Sequence, residues 1–348
     1  MLEKKQIGGK LGLFYPKQTM KQAIKFLQKT FYSLESRTTI SFVLLSYHLT
    51  KVAKCNSYME TFSSQSDTLH KWIKQIYEED LKRAFELQVR KAIRSLNVRY
   101  AELAFDITKE PFYGKSRNLY TINCEQTKPY KAEFHYITCC LINKDKQIPL
   151  MALPVSYGEQ IKLTIDLLRY CQTLFPKIRF ALFDRGFYSA ELIDYLEAKK
   201  IKYQIFIPAK RGILKELKQN TTYISFYNHT LLYSKAKTKW KPKTTIVTCK
   251  QIFGYDWLFA TNIARDSPKD YVTLYKRRWQ IETNYRVEDE AKIKSKSSNY
   301  MVRYFYFLIS LLFHLFWIVN KAIKYYVQFK RFIDIVENKL SYKVGKRI

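Results

Sequence analysis

The sequence lacks the cysteine and histidine spacings of a zinc site. Its six cysteines include no pair separated by two residues, and its five histidines are scattered along the chain. Cys139 and Cys140 are adjacent, but they fall in an apolar, strand-like run and are predicted to be core residues. This cysteine usage fits a reducing cytosol.

Acidic residues are scarce relative to basic ones. The chain has 30 Asp and Glu against 61 Lys and Arg, which gives a formal charge of +31. An excess of this size indicates a polyanionic partner or an acidic membrane surface, and nucleic acid is the commoner case. A hydrophobic content of 47% over 348 residues supports a folded core and excludes a disordered protein.

The N-terminal residues lack the apolar stretch of a signal peptide, so we expect a cytoplasmic, nucleoid-associated protein. Tyr304 to Val319 carries no formal charge and is flanked by Arg303 and Lys321. A spanning helix needs about 20 apolar residues, so this shorter run predicts a buried core helix. A membrane anchor is the alternative.

Residues 1–97 are predicted to be a helical domain, because apolar residues recur three and four positions apart. Cap residues at Ser66, Asp67 and Thr68 precede a short helix, and a longer basic helix is predicted to start near Glu78. This pair is either a helix-turn-helix reader of DNA or an ordinary helical hairpin.

The remaining residues, 98–348, are predicted to form an α/β domain. Three strands are followed by a helix, a strand, a helix and a strand, an order seen in ribonuclease-H-like folds with a mixed sheet and flanking helices. Residues 210–263 interrupt this order as a β-rich insertion. A helix is then predicted to start at Ser267 and Pro268, and further helices end the chain.

Two aspartates are predicted to meet at one edge of the sheet. Asp106 lies near the end of the first strand, and Asp184 directly follows the apolar strand that ends at Phe183. Two such carboxylates repel each other unless a divalent cation lies between them. The alternative is that Asp184-Arg185-Gly186 is a turn, in which glycine takes a positive φ.

A third acid is predicted on the helix that Ser267 caps. Arg278 and Glu282 follow Tyr275 by three and seven residues, so the three side chains would share one helical face. A solvated charged face is the alternative for a helix taken alone.

These motifs together resemble the DDE transposases of prokaryotic insertion sequences, specifically the IS-four superfamily. The resemblance covers about residues 98 to 325. It rests on Asp106-Ile107-Thr108, on Asp184-Arg185-Gly186-Phe187-Tyr188, and on Tyr275, Arg278 and Glu282 in register. The lysine that ends the family pattern is replaced by Asp289, with Lys292 and Lys294 shortly beyond.

The resemblance implies an enzyme that cuts DNA at the ends of a mobile element and joins these ends to target DNA. Asp106, Asp184 and Glu282 would hold two Mg²⁺ ions, with Mn²⁺ as an alternative, for an in-line attack on phosphorus. The implied partners are terminal inverted repeats, target DNA and a second copy of the chain in a synaptic complex, with no membrane and no small-molecule substrate. The residues expected to contact DNA are Tyr275, Arg278, Arg185 and Lys292.

Three other functions are compatible with parts of the sequence. A ribonuclease-H-like nuclease or resolvase would use the same metal chemistry without strand transfer. A DNA-binding protein that has lost catalysis is disfavoured by the three intact acids, and a membrane protein would be anchored through Tyr304 to Val319. Inverted repeats beside the gene would favour the transposase.

Overall fold

The computed structural model of the chain describes residues 42–62, 65–115, 117–124, 127–144, 146–207, 224–231, 242–282, 289–322 and 328–345. The predictions for residues 1–41 and for parts of the insertion therefore lie outside the described residues. The described helices are α1 Phe42–Lys54, α2 Met59–Phe62, α3 Ser66–Ile73, α4 Glu78–Ser95, α5 Gln160–Leu174, α6 Ala190–Ala198, α7 Pro268–Lys276, α8 Tyr300–Ala322 and α9 Phe329–Gly345. The strands are β1 Ala101–Phe112, β2 Thr121–Asn123, β3 Ala132–Asn143, β4 Lys146–Pro154, β5 Ile178–Phe183, β6 Tyr203–Phe206, β7 Ile224–Thr230, β8 Lys243–Ile252 and β9 Tyr255–Thr261.

The strands within the described residues form one mixed sheet. Its order is β2-β3-β1-β5-β6-β9-β8-β7, and β4 also pairs with β3. β1 pairs in parallel with β5, and β5 with β6, whereas the other pairings are antiparallel. The predicted α/β fold and the order of its elements are confirmed.

The predicted β-rich insertion continues the central sheet. Its last strand, β9, pairs antiparallel with β6, and β8 and β7 follow outward. Residues 224–230 form one uninterrupted strand, because they pair without a break from Ile224 opposite Cys249 to Thr230 opposite Lys243.

The described N-terminal helices share one hydrophobic core with the sheet. Leu49 of α1 and Phe85 of α4 belong to the same buried cluster as Phe105 of β1 and Phe313 of α8. The helical character of residues 42–95 is confirmed, apart from the connections between helices. A domain boundary near residue 97 stays a prediction.

The long apolar helix α8 is a core helix, as predicted. The segment Tyr300–Lys321 is long and apolar enough to cross a membrane, but 83% of its most apolar window is buried inside the protein. The Tyr304 hydroxyl donates a hydrogen bond to the Ala152 carbonyl of β4, 2.7 Å away. The buried Tyr304 hydroxyl therefore has its hydrogen-bond partner in the sheet on which α8 packs.

Strand β1 has two different faces. Leu103 and Phe105 pack into the large core beneath α8, and Phe105 stacks on Phe183 of β5 with ring centroids 4.8 Å apart. Ala104 points the other way, into a smaller cluster with Leu182. Because side chains alternate along a strand, Asp106 belongs to the face of Ala104.

Candidate active site

Asp106 and Asp184 occupy neighbouring positions on the sheet. Phe105 of β1 is paired in parallel with Phe183 of β5, so each aspartate is the next residue after a paired position. Asp184 lies at the carboxyl end of β5, where ligands of open α/β sheets bind. Asp106 lies in the middle of β1, which continues to Phe112, so the prediction that Asp106 is near the end of its strand is wrong. The predicted meeting of these two acids is confirmed.

The turn after β5 does not use the Asp184 side chain. A short 3-10 helix, Arg185–Phe187, begins directly after Asp184, whose carboxylate makes no capping hydrogen bond. Gly186 does not have a positive φ, so the expectation that it supplies a left-handed turn is wrong. The 3-10 turn uses right-handed dihedrals, which any residue adopts. The Asp184 carboxylate is thus not needed for the turn.

The helix that carries the third acid is shorter than predicted. Ser267 caps α7 by accepting a hydrogen bond from the Asp270 backbone, as the sequence indicates, but α7 ends at Lys276. A turn at residues 277–278 follows, and a short helical stretch contains Glu282. The predicted helix is therefore interrupted at this turn, although Tyr275, Arg278 and Glu282 still lie on the side of the two aspartates.

Packing brings this segment to the acids in spite of the break. Leu274 and Ile281 flank the turn and pack into the same cluster as Ala104 and Leu182. The segment is therefore held against the face of β1 and β5 that carries Asp106 and Asp184.

Tyr275 contacts Asp184 directly. Its hydroxyl donates a hydrogen bond to Asp184 Oδ1 at 3.2 Å, and its ring centroid lies 5.2 Å from that of Phe259. Burial raises the pKa of Tyr275, so the hydroxyl keeps its proton and acts as a donor. Tyr275 is only 2% exposed, so it orients Asp184 from inside the protein.

Arg278 lies between the other two acids. Its Nη1 is 3.6 Å from Asp106 Oδ1, and its Nη2 donates a hydrogen bond to Glu282 Oε1 at 2.9 Å. The arginine side chain is buried, whereas the Glu282 side chain is 52% exposed. Nε and Nη1 of Arg278 are buried without a hydrogen-bond partner among the described residues.

The electrostatics of the site show an excess of negative charge. Burial raises the pKa of Asp106 to about 6; the nearby Arg278 guanidinium opposes this rise. The carboxylates of Asp184 and Glu282 add to the rise. Three acids thus surround one described guanidinium, and a carboxylate in this setting is stabilised by further positive charge.

No ready metal-binding group is formed by the described side chains. No three His, Cys, Asp or Glu residues in the described part of the chain come close enough together to hold an ion. The Arg278 guanidinium lies between Asp106 and Glu282 and supplies the positive charge there. The donor chemistry nevertheless fits a divalent ion, because carboxylate oxygens are the ligands that Mg²⁺ and Mn²⁺ prefer.

A second charged group beside the site was not predicted. Glu102 lies four residues before Asp106 on the same face of β1, where Arg277 Nη2 donates a hydrogen bond to its Oε2. Arg179 Nη1 approaches its Oε1 at 3.4 Å. The even spacing of Glu102 and Asp106 places both on one face, but nothing in the sequence pairs either acid with its arginine.

The remaining predicted site residues lie at the surface. Arg185 is exposed directly beside Asp184. Lys292 is partly exposed, and its Nζ lies 3.4 Å from Oδ1 of the exposed Asp289. Contacts of these residues with DNA stay predictions.

Comparisons with known proteins agree on one class. The chain matches the family model described as the transposase DDE domain over residues 132–314, which include Asp184 and Glu282 and begin after Asp106. Its fold is similar to that of a piggyBac transposase, solved by cryo-electron microscopy as a synaptic complex with hairpin DNA. That likeness has a TM-score of 0.57 at 13% identity, over 94% of this chain and 80% of the other. No curated protein matches the chain.

Proposed function

Because the chain belongs to the transposase DDE domain family, we propose that it cuts DNA at the ends of a mobile element and joins those ends to target DNA. The motifs around Asp184 and Glu282 support an assignment to the IS-four superfamily of prokaryotic insertion sequences. The observation that carries the proposal is the convergence of Asp106, Asp184 and Glu282 around one buried arginine.

Members of this family use divalent metal ions. In our proposal Asp106, Asp184 and Glu282 hold two ions, Mg²⁺ or Mn²⁺. The chemistry supplied by such ions when bound is activation of the attacking oxygen and stabilisation of the leaving oxygen at phosphorus. The excess of carboxylate over guanidinium supports this role, since each added positive charge relieves repulsion between the acids.

The other buried residues of the site position these acids. Tyr275 donates to one oxygen of Asp184 and so leaves the second oxygen for a ligand. Arg278 neutralises part of the charge and keeps Glu282 close to Asp106. Burial of Tyr275 and Arg278 favours this positioning role over direct contact with DNA.

DNA as the partner is supported by the charge of +31 and by the exposed basic residues near the acids. Arg185 beside Asp184 and Lys292 beyond Glu282 are proposed to contact the phosphate backbone. The piggyBac transposase of similar fold was determined with hairpin DNA. We further propose DNA recognition by residues 1–97, a homodimer in the synaptic complex, and a cytoplasmic, nucleoid-associated location.

The proposal is tested by cleavage of DNA that carries the gene with its flanking terminal repeats. Purified full-length protein is incubated with this DNA and Mg²⁺, and the cut ends and joined products are mapped. We expect Asp106→Asn, Asp184→Asn and Glu282→Gln each to lower cleavage by about a thousandfold or more, while each variant still binds DNA. Asp166→Asn is the matched control, because Asp166 is an exposed acid that pairs with Arg169 on α5.

Near-normal cleavage by one of the three variants would remove that residue from the proposed metal site. Cleavage without any joined product would favour the nuclease or resolvase function instead. Binding without divalent-dependent cleavage in the unsubstituted protein would favour a DNA-binding protein.

A further inference from the structure

The segment after Glu282 presents three lysines on one side of an extended chain. Lys292, Lys294 and Lys296 alternate with Ile293 and Ser295, which are 2% and 4% exposed. An extended backbone places alternate side chains on opposite sides. The three lysines therefore share the side opposite the buried residues.

The backbone of this segment is fixed by the N-terminal part of the chain. The Lys294 backbone N–H donates to the Ser57 carbonyl at 3.0 Å, and the Met59 N–H donates to the Lys294 carbonyl at 3.1 Å. Ser295 Oγ donates to Glu60 Oε1 at 2.6 Å. The lysines thus project from a scaffold that is held before any ligand binds.

The lysine side chains line a cavity of about 560 Å³ between this segment and the end of β1. Tyr58 forms part of the wall, with its ring centroid 6.0 Å from Lys294 Nζ and 5.6 Å from Lys296 Nζ. Glu110 and Arg303 also line it, but they pair with each other at 3.3 Å and are almost fully buried. We call this cavity the lysine pocket.

The charge of the lysine pocket is only partly balanced by the described residues, among which Glu60 Oε1 accepts a hydrogen bond from the Lys296 backbone N–H at 2.7 Å. Neither Lys294 nor Lys296 has a carboxylate within ion-pair distance in the described part of the chain. Lys292 approaches Asp289, but that carboxylate is exposed, so the pair is weak. Two to three positive charges therefore face an open cavity, which suits an anionic ligand.

The lysine pocket lies along β1 from the acids. Asp106 and Glu110 are four residues apart on one face of the strand, which is about 13 Å. Thr108 lies between them on the same face, and its buried Oγ1 has no hydrogen-bond partner among the described residues. Since one strand of B-form DNA rises about 3.4 Å along the axis per phosphate, and phosphates are at least this far apart in space, this distance spans at most about four nucleotides.

We propose that the lysine pocket holds the phosphate backbone of the DNA strand whose scissile phosphate lies at Asp106 and Asp184. This inference rests on the proposed function and adds the contact that fixes the strand within about four nucleotides of the cut. Lys294 and Lys296 supply the charge, and Tyr58 supports their ammonium groups. The pocket thereby sets the register of the strand at the acids.

The first experiment measures binding of the full-length protein to a fluorescent duplex of mixed sequence over a range of KCl concentrations. We expect the double variant Lys294→Gln, Lys296→Gln to bind more weakly. Its slope of log affinity against log salt should be lower by about 2, because each phosphate that is no longer neutralised lowers the slope by about 1. The matched control is Lys177→Gln, Lys199→Gln, which also removes two exposed lysines, but from loops at the opposite edge of the sheet from Asp184. Thermal unfolding of each variant verifies that it is folded.

The second experiment uses the DNA with terminal repeats after the cut has been mapped. A neutral methylphosphonate replaces one phosphate at a time on the cut strand. We expect replacement of a phosphate within about four nucleotides of the cut to weaken binding of the unsubstituted protein and to leave binding of the double lysine variant unchanged.

Equal salt slopes for the double lysine variant and its control would overturn the proposal. So would methylphosphonate replacements that weaken binding of the unsubstituted protein and of the double lysine variant equally at every phosphate. A pocket that takes an acidic protein segment instead of DNA would give these same results. The proposed function would stand in that case, because divalent-dependent cleavage is scored separately. Absence of cleavage in the unsubstituted protein would instead count against the function itself.

Discussion

Two adjacent arginines in the turn after α7 belong to two clusters of charged side chains, and the clusters differ in their balance of positive and negative charge. Arg277 pairs with Glu102, which Arg179 also approaches, so two guanidinium groups face one carboxylate. Arg278 lies among Asp106, Asp184 and Glu282, so one guanidinium faces three carboxylates. Both groups lie on the same face of β1.

The difference separates a structural ion pair from the proposed cation site. At Glu102 the acid is neutralised within the chain, and Asn143 Oδ1 also accepts a hydrogen bond from the Glu102 backbone. At Asp106 the acids keep an excess of negative charge, and burial raises the pKa of Asp106 to about 6. Burial of the charged Asp106 and its repulsion by Asp184 and Glu282 both lower stability. Carboxylates whose pKa is perturbed in this way cluster at functional sites.

The largest expected effect on stability comes from removing the carboxylate of Glu102, which is the acid that arginines neutralise. Glu102→Gln leaves Arg277 without its charge partner in a partly buried position where it keeps its hydrogen bond to the Ile142 carbonyl, so we expect the free energy of unfolding to fall by about 2 to 3 kcal/mol. Urea denaturation followed by circular dichroism measures this loss. Cleavage by the folded variant is expected to stay within a few-fold of the unsubstituted protein.

Asp106→Asn is the matched substitution in the other group and is expected to behave in the opposite way. Because its folded pKa lies above that of the unfolded chain, a charged Asp106 destabilises the protein at neutral pH. Its replacement by a neutral amide should preserve or raise stability without divalent ions, while cleavage is lost. Equal losses of stability in both variants would contradict the comparison.

The sequence was sufficient to predict where the two aspartates lie. The apolar run that ends at Phe183 specifies the end of β5, and the alternation around Asp106 specifies the face of β1 that carries this acid, whereas the continuation of β1 to Phe112 was not predicted. The cap at Ser267 was predicted for a similar reason, since capping depends on residues within one turn.

Long-range pairing was not predictable in the same way. The hydrogen bonds between β9 and β6 and the ion pair between Arg277 and Glu102 join residues far apart in the chain, and no local periodicity encodes them. The end of α7 at Lys276 is also not visible in the sequence, because no proline or glycine stands between Lys276 and Glu282 to mark it. Tertiary contacts override local helix preference at such positions.

A smaller effect is expected from a buried group with no charge partner. Burial lowers the pKa of His314 in α8 to about 3, and its Nδ1 has no hydrogen-bond partner among the described residues. The unfolded chain takes up the proton near pH 6.5 and the folded chain does not, so stability is present above pH 6.5 and falls as the pH decreases toward 3. The expected loss at pH 5 is about 2 kcal/mol.

His314→Phe removes this titration and suits the neighbouring rings of Trp317 and Phe329. Urea denaturation at several pH values should show that the variant loses less stability than the unsubstituted protein between about pH 6.5 and pH 5. Parallel pH profiles for the two proteins would mean that His314 is protonated in the folded state.

The smallest expected effect concerns Asp289, which stands where the proposed IS-four assignment would place a lysine. Its carboxylate is exposed and pairs weakly with Lys292. Asp289→Lys removes a negative charge and frees Lys292, so we expect binding to element ends to tighten by roughly 1 kcal/mol or less, with cleavage retained. Fluorescence anisotropy measures the affinity, and Asp289→Asn separates loss of the acid from gain of the lysine. Loss of cleavage in a folded Asp289→Lys protein would make Asp289 part of the acid site.

The central claim, that the acids around Arg278 bind divalent cations and the acid at Glu102 does not, is tested most directly by counting bound Mn²⁺. Electron paramagnetic resonance of the full-length protein titrated with Mn²⁺ distinguishes free from bound ions. We expect two bound ions in the unsubstituted protein and in Glu102→Gln, and weakened binding in Asp106→Asn, Asp184→Asn and Glu282→Gln. Unchanged binding in these three variants, or its loss in folded Glu102→Gln, would contradict the account.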